Sequence, residues 1–110
     1  MEIQKELDGD RLTVKLTGRL DAVTAIQFDK DIAKSLDGVK NLTIDFAKLE
    51  YIASAGLRIL LKLQKKMYTQ GDMKIININR DVREVLDMTG FSRLLSIEEA
   101  DAPKKLTFNF

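Results

Sequence analysis

Asp45-Phe46-Ala47-Lys48-Leu49-Glu50-Tyr51-Ile52-Ala53-Ser54-Ala55-Gly56-Leu57-Arg58-Ile59-Leu60-Leu61 is the stretch on which the fold turns. It begins in a strand and ends in a helix. Asn41-Leu42-Thr43-Ile44-Asp45-Phe46 alternates apolar and polar residues, the period of a half-buried strand. Ala47 to Ala53 reads as a connection, and a helix is expected from about Ser54 to Thr69. At about 100° per residue this helix carries three stripes. Arg58, Lys62, Lys65, Lys66 and Thr69 form one, Gly56, Ile59, Leu60, Leu63 and Met67 the opposite one, and Leu57, Leu61, Gln64 and Tyr68 lie between. The apolar arc is wider than contact with a sheet requires. Either a neighbouring helix covers Leu57 and Leu61, or a partner does.

Upstream of this stretch, Leu12, Val14 and Leu16 alternate with threonines and Lys15, a second strand. Ile3 to Leu7 can pair with it through a turn at Asp8-Gly9-Asp10, and Gly18 ends or bends it. A helix follows with Ala22, Ala25, Ile26, Ile32, Ala33 and Leu36 on its apolar face and Asp29 as the polar exception. Asp21 is placed to cap its start and Asp37-Gly38 to stop it. Downstream, Gln70-Gly71-Asp72 breaks the second helix and Met73 to Ile78 reads as a buried strand. Asn79 caps a short helix bearing Val82, Val85 and Leu86, closed by Gly90. Leu94, Leu95 and Ile97 suggest a last strand. Pro103 interrupts the tail, where Leu106, Phe108 and Phe110 alternate. The expectation is one α/β domain over residues 1–110, its core about 3–100 and its tail 101–110 apart. The sheet is mixed, four- to five-stranded, opened by a hairpin and continued by right-handed crossovers.

Composition narrows the chemistry. The 110 residues contain no Cys and no His. Disulfides, thiolate metal sites and the commonest general base and metal ligand are therefore out of reach. No glycine-rich phosphate loop is present, and Ser54 has no base beside it in sequence, so the chain is read as a binding module and not an enzyme, without cofactor or metal. Eighteen basic and 17 acidic residues give a net charge of +1, which favours neither nucleic acid nor a membrane surface. The start lacks the apolar segment of a signal peptide, and no stretch approaches the roughly 20 apolar residues that span a bilayer. A cytoplasmic protein is expected.

Ser54 stands out as a candidate switch. A serine at a helix start commonly caps it, and charges on an outward helix face are commonly only solvated. Ala53, Ala55 and Gly56 leave this serine open, however, and a small residue admits a partner's backbone. A phosphate on Ser54 would face the positive end of the helix dipole and add about −1.5 to −2 charges at pH 7.

The stretch from Asp45 to Leu61 resembles the central motif of the STAS family, in which a strand ending in Asp leads through a short loop to a (Ser/Asp)-Ser-(Ser/Ala)-Gly-Leu helix start. Thr17-Gly18-Arg19-Leu20-Asp21-Ala22-Val23-Thr24 resembles the family's Gly-x-Leu-Asp-x-x-Thr segment, and Val82 to Phe91 its third-helix segment. The resemblance runs nearly the length of the chain and is strongest to bacterial anti-sigma factor antagonists. It implies a protein that, when unphosphorylated, binds an anti-sigma factor and so releases a sigma factor. The anti-sigma factor is often a serine kinase of the histidine-kinase-like ATPase fold, and a PP2C-type phosphatase resets the switch. The acceptor serine falls on Ser54 and the family's loop Asp on Asp21, which is expected close by. Asp21, Thr24, Ala53, Ser54, Ala55, Gly56, Leu57, Arg58, Leu61 and Lys62 are the expected partner-binding residues of a monomer. Ala53 stands where many regulated members carry Asp or Ser, and Ala55 leaves Ser54 the only hydroxyl of the motif. The alternative is a STAS subunit that docks constitutively on a transporter or signalling scaffold.

Overall fold

The computed structural model describes residues 1–98; the expectations for the tail 101–110 lie outside them. Strands β1 (Glu2–Asp8) and β2 (Arg11–Leu20) form the expected antiparallel hairpin, with Gly9 at φ 62 in its turn. Helix α1 (Ala22–Ala33), strand β3 (Asn41–Ile52), helix α2 (Ser54–Gln70), strand β4 (Asp72–Ile76) and helix α3 (Arg80–Thr89) follow. The sheet order is β1-β2-β3-β4, with β2, β3 and β4 parallel. The sheet is mixed and opened by a hairpin as the sequence pattern predicts, with four strands where four to five were expected.

Alternation puts Leu12, Val14, Leu16 and Leu20 of β2 and Leu42, Ile44 and Phe46 of β3 on one face, all buried. Helices α1 and α2 lie side by side against that face. The other face carries Thr13, Lys15, Thr17 and Thr43 toward solvent. Purely parallel sheets are covered on both sides. Here the polar alternation lets one face stay wet, and the core is a single apolar layer; among the described residues no polar side chain is buried.

Four expectations are corrected. Strand β3 does not end at Phe46 but runs to Ile52 through two bulges, the first where Asp45 pairs with Lys15 and Lys48 with Thr17. Phe46 and Ala47 thus oppose Leu16 alone. The Asp45 carboxylate holds this bulge, accepting from the Ala47 N–H at 2.9 Å and the Asn77 side-chain amide at 3.0 Å. A second shift follows, where Gly18 pairs with Leu49 and Arg19 with Tyr51, leaving Glu50 as a second extra residue. Each extra residue breaks the alternation that a regular strand shows, so Phe46, Leu49 and Ile52 all point inward.

Helix α1 buries Ala25, Phe28 and Ile32, while Ala22, Ile26 and Ala33 are exposed. The large Phe28 ring sets the helix rotation and turns Ile26 outward. The same helix ends at Ala33, ahead of Asp37-Gly38. The turn behind it still buries Leu36 and Val39, whose carbonyls accept from the Gln70 amide at 2.8 and 2.7 Å. Finally, the expected last strand is a 3₁₀ turn (Phe91–Arg93) followed by one parallel bridge, Ile97 to Ile75. Leu95 is buried but Leu94 is exposed.

Helix α3 is capped by Asn79, whose Oδ1 accepts from the Val82 N–H at 2.8 Å. Its amide donates to the Leu49 carbonyl at 2.8 Å. Strand β4 pairs only with residues 41–45, so α3 and Asn79 cover the β3 edge that β4 leaves open.

The turn from α2 to β4 leaves no room at Gly71. A Cβ there would lie 2.7 Å from the Lys40 carbonyl carbon and closer still to its oxygen. The same carbonyl accepts from the Asp72 N–H at 2.8 Å and cannot give way without losing that bond. Gly71→Ala is therefore expected to lose about 2 kcal/mol of stability in urea unfolding, with the midpoint lowered and the slope unchanged.

Candidate functional site

Parallel strands β2 and β3 end level, with Leu20 paired to Ile52. The Ala53 N–H continues the ladder, donating to the Leu20 carbonyl at 2.9 Å. Each strand then releases a helix from the same edge of the sheet, α1 behind Asp21 and α2 behind Ala53. The expected closeness of Asp21 and Ser54 follows from this shared edge.

The two helix starts are built differently. Asp21 caps α1, its Oδ1 accepting from the N–H groups of Val23 at 3.1 Å and Thr24 at 3.0 Å. The Thr24 hydroxyl accepts in return from the Asp21 N–H at 2.8 Å. Its proton lies between the Arg19 carbonyl at 2.7 Å and Asp21 Oδ1 at 3.1 Å. The Thr24 N–H, then the Thr24 hydroxyl, with help from the Val23 N–H and the Arg19 charge, hold the Asp21 carboxyl below its ordinary value. Asp21 and Thr24, expected among the partner-binding residues, are thus committed to each other as a capping box.

Helix α2 has Ala53 as its N-cap and no side-chain cap. Ser54 is the first residue inside the helix and not its cap, a correction to the capping role weighed for it. Its side chain is exposed, and its hydroxyl makes no hydrogen bond among the described residues. The remaining expected contacts divide by burial. Arg58 and Lys62 are exposed, and Ala53, Ala55 and Leu61 are half-buried. Gly56 and Leu57 belong to the core. A Cβ on Gly56 would lie 2.7 Å from Leu20 Cγ and 3.2 Å from Ile52 Cγ1. The close neighbour that requires glycine here is thus the chain's own strand pair, where sequence reasoning had assigned the smallness of Gly56 to a partner's approach.

Sequence reasoning missed the part that α1 plays. Val23 is 76% and Ile26 60% exposed. Asp29 of α1 pairs with Lys62 of α2 at 3.1 Å. One turn ahead of that pair stand Ile26 and Arg58, and ahead of them the first turn of α1 and Ser54. The surface around Ser54 is therefore apolar on the α1 side and basic on the α2 side, where Arg58, Lys62, Lys65 and Lys66 are all exposed. The 25-28-32 spacing around Phe28 was the signal that could have turned Ile26 outward.

A cavity of about 280 Å³ lies on the polar sheet face, between Gln4, Lys15, Thr17, Asp45 and Lys48, and Ser54 does not line it. Among the described residues no group of three His, Cys, Asp or Glu could hold a metal ion, and no helix is long and apolar enough to cross a membrane. An exposed hydroxyl on a half-apolar surface suits contact with a protein.

The model of the STAS domain family matches residues 2–102. A Bordetella bronchiseptica protein bearing the name anti-sigma factor antagonist BtrV is 31% identical over 94 residues, covering 84% of this chain and 80% of the relative. The anti-sigma F factor antagonist of Paenibacillus polymyxa is 28% identical over 102 residues, covering 88% and 87%. Among solved structures, the anti-sigma factor antagonist SpoIIAA in its unphosphorylated form superposes with a TM-score of 0.77 at 19% identity, over 97% of this chain and all of that one. The phosphorylated form of the Bacillus protein superposes at 0.70, again at 19% identity, over 90% and 91% of the two chains. At these identities the structural likeness speaks for the fold.

The capping box makes stability depend on pH in a defined direction. A carboxyl held low in the folded state stabilises the fold above its unfolded value and loses that contribution as pH falls through its folded value. Asp21→Asn retains a capping side chain but does not titrate. The stability difference between the two proteins should be constant above about pH 5 and shrink below about pH 4. Urea titrations across that range measure it; a difference constant down to pH 2 would mean that the cap does not depend on the charge.

Proposed function

The chain belongs to the STAS domain family, and on that premise we propose that it is a phosphorylation-controlled antagonist of an anti-sigma factor. In this reading the unphosphorylated chain acts as a monomer in the cytoplasm. It docks the surface around Ser54 on an anti-sigma factor that is also a serine kinase of the histidine-kinase-like ATPase fold. Docking displaces the sigma factor. The kinase then transfers the γ-phosphoryl group of ATP to the Ser54 Oγ, which loses its proton, and ADP leaves. Hydrolysis of the ester by a PP2C-type phosphatase returns serine and inorganic phosphate.

The observation that carries the reading is the Ser54 hydroxyl, exposed and without a hydrogen bond among the described residues, at the first position of a helix without a side-chain cap. A capping serine would have to give up its bond to react; this one does not. The names of the Bordetella and Paenibacillus relatives support the choice of partner. The off signal follows from charge. About −1.5 to −2 charges arrive beside Val23 and Ile26, where a docked partner would exclude water. Burying a dianion that the partner surface does not pair costs more than the few kcal/mol that separate bound from free at moderate affinity. Ala53 supplies no polar group to orient the hydroxyl, so the kinase itself has to position it.

Two baits test this, Ser54→Ala and Ser54→Glu, each incubated with lysate of the native organism and read by mass spectrometry. A kinase-fold partner enriched on Ser54→Ala alone is the expected result. Adding Ile26→Asp to the Ser54→Ala bait should reduce its recovery about tenfold, the equivalent of about 1.4 kcal/mol, with the melting temperature unchanged. Equal recovery of a transporter or scaffold on both baits would replace the switch by constitutive docking.

A further inference from the structure

Ser54 and Arg58 stand one turn apart on the exposed face of α2. Residues spaced i,i+4 on a helix have Cβ atoms about 5–6 Å apart, well within reach of an arginine side chain. Arg58 has no ion pair or hydrogen bond among the described residues. The next cation along the face, Lys62, is two turns from Ser54 and already held by both Asp29 oxygens at 3.1 and 3.2 Å. Arg19 stands near Asp21 on the neighbouring strand end, and its guanidinium lies 4.3 Å from the centre of the Tyr51 ring.

We propose that Arg58 is the intramolecular counterion of phosphorylated Ser54, so that phosphorylation changes the docking surface twice, adding a dianion and withdrawing the cation nearest to it. This rests on Ser54 being the phosphoacceptor. The guanidinium fork matches two phosphate oxygens at once, and a charge-assisted pair of this kind is roughly twice as strong as a neutral hydrogen bond. Before phosphorylation Arg58 extends from a face that also displays Lys65 and Lys66 and can meet an acidic partner group. Afterwards it folds back one turn. The surface next to Ile26 passes from a net positive charge to a net negative one, with no backbone movement required.

The test places phosphoserine at position 54 of the full chain by amber suppression, so no kinase is needed. The second ionisation of the phosphate is followed by ³¹P NMR at low salt. With Arg58 present the midpoint should lie about half a pH unit below that of Arg58→Gln, a surface-screened version of the shift an opposite charge produces. Arg58→Lys should fall between them, and the gap should close in about 0.5 M salt. Asp21, on α1, repels the phosphate equally in all three proteins and cancels from the comparison. Equal midpoints for Arg58 and Arg58→Gln would overturn the pairing, as would a shift produced by Arg19→Gln and not by Arg58→Gln. Since the phosphate is installed directly, either result is independent of whether a kinase modifies Ser54, which the two baits decide.

Discussion

The level ending of β2 and β3 is the constraint from which the rest of the surface follows. Leu20 and Ile52 are register partners and are fully buried, and the Ala53 N–H closes the ladder on the Leu20 carbonyl. Gly56 then drops the first turn of α2 onto those two side chains, so close that a Cβ would force the Leu20 side chain to shift. Because two parallel strands leave the sheet at the same edge, their helices begin side by side. The carboxyl ends of neighbouring parallel strands are where α/β folds assemble functional groups from separate segments. Here the segments contribute a capped helix on one side and an uncapped one on the other.

Bringing the strands out level depends on two bulges. Without the first extra residue, alternation continued from Phe46 would turn Leu49 to solvent; without the second, at Glu50, Ile52 would follow it. With both, Leu49 and Ile52 enter the core and β3 delivers Ala53 beside Leu20. The cost is a locally interrupted ladder, and at the first bulge Asp45 offsets it by binding the Ala47 N–H and Asn77. Asn77 itself sits at φ 59, a conformation Asn tolerates better than most residues. The strand Asp of the motif is thus a structural residue. It acts on Ser54 only through the phase of the strand that leads to it.

The sequence showed the order of elements, the hairpin, the caps at Asp21 and Asn79, the stop at Gly90 and the exposed basic stripe of α2. All of these rest on local rules, in which a residue type and its near neighbours decide the outcome. What it concealed depended on distant contacts. Two apolar faces were available to α1, one through Ile26 and one through Phe28, and only the volume waiting under the helix selects the aromatic. The second half of β3 lost its period-two signature to two bulges, the first anchored by Asn77, 32 residues from Asp45. Leu94, Leu95 and Ile97 have strand-like composition, yet β4 is only five residues long and offers the returning chain little edge to pair with. The proposed docking surface was half legible for the same reason. Its α2 side was visible in spacing, whereas Val23 and Ile26 emerged only once the rotation of α1 was known.

The asymmetry between the two helix starts is what the proposed switch at Ser54 requires if it is to act without unsettling the fold. Asp21 and Thr24 satisfy the first turn of α1 from within, so that helix and its exposed Val23 and Ile26 form a fixed frame. Helix α2 forgoes a side-chain cap, which is worth about 1 kcal/mol, and is held instead by Gly56, Leu57, Leu60, Leu63 and Met67 in the core. Its first turn therefore keeps its place whether or not Ser54 is modified. The hydroxyl is left with no structural duty, and a negative charge placed there meets a favourable helix end and not a bond it must break. The fold supplies rigidity on one side of the edge and chemical freedom on the other. A binding surface that must be altered by a single covalent event, and restored by its reversal, needs both.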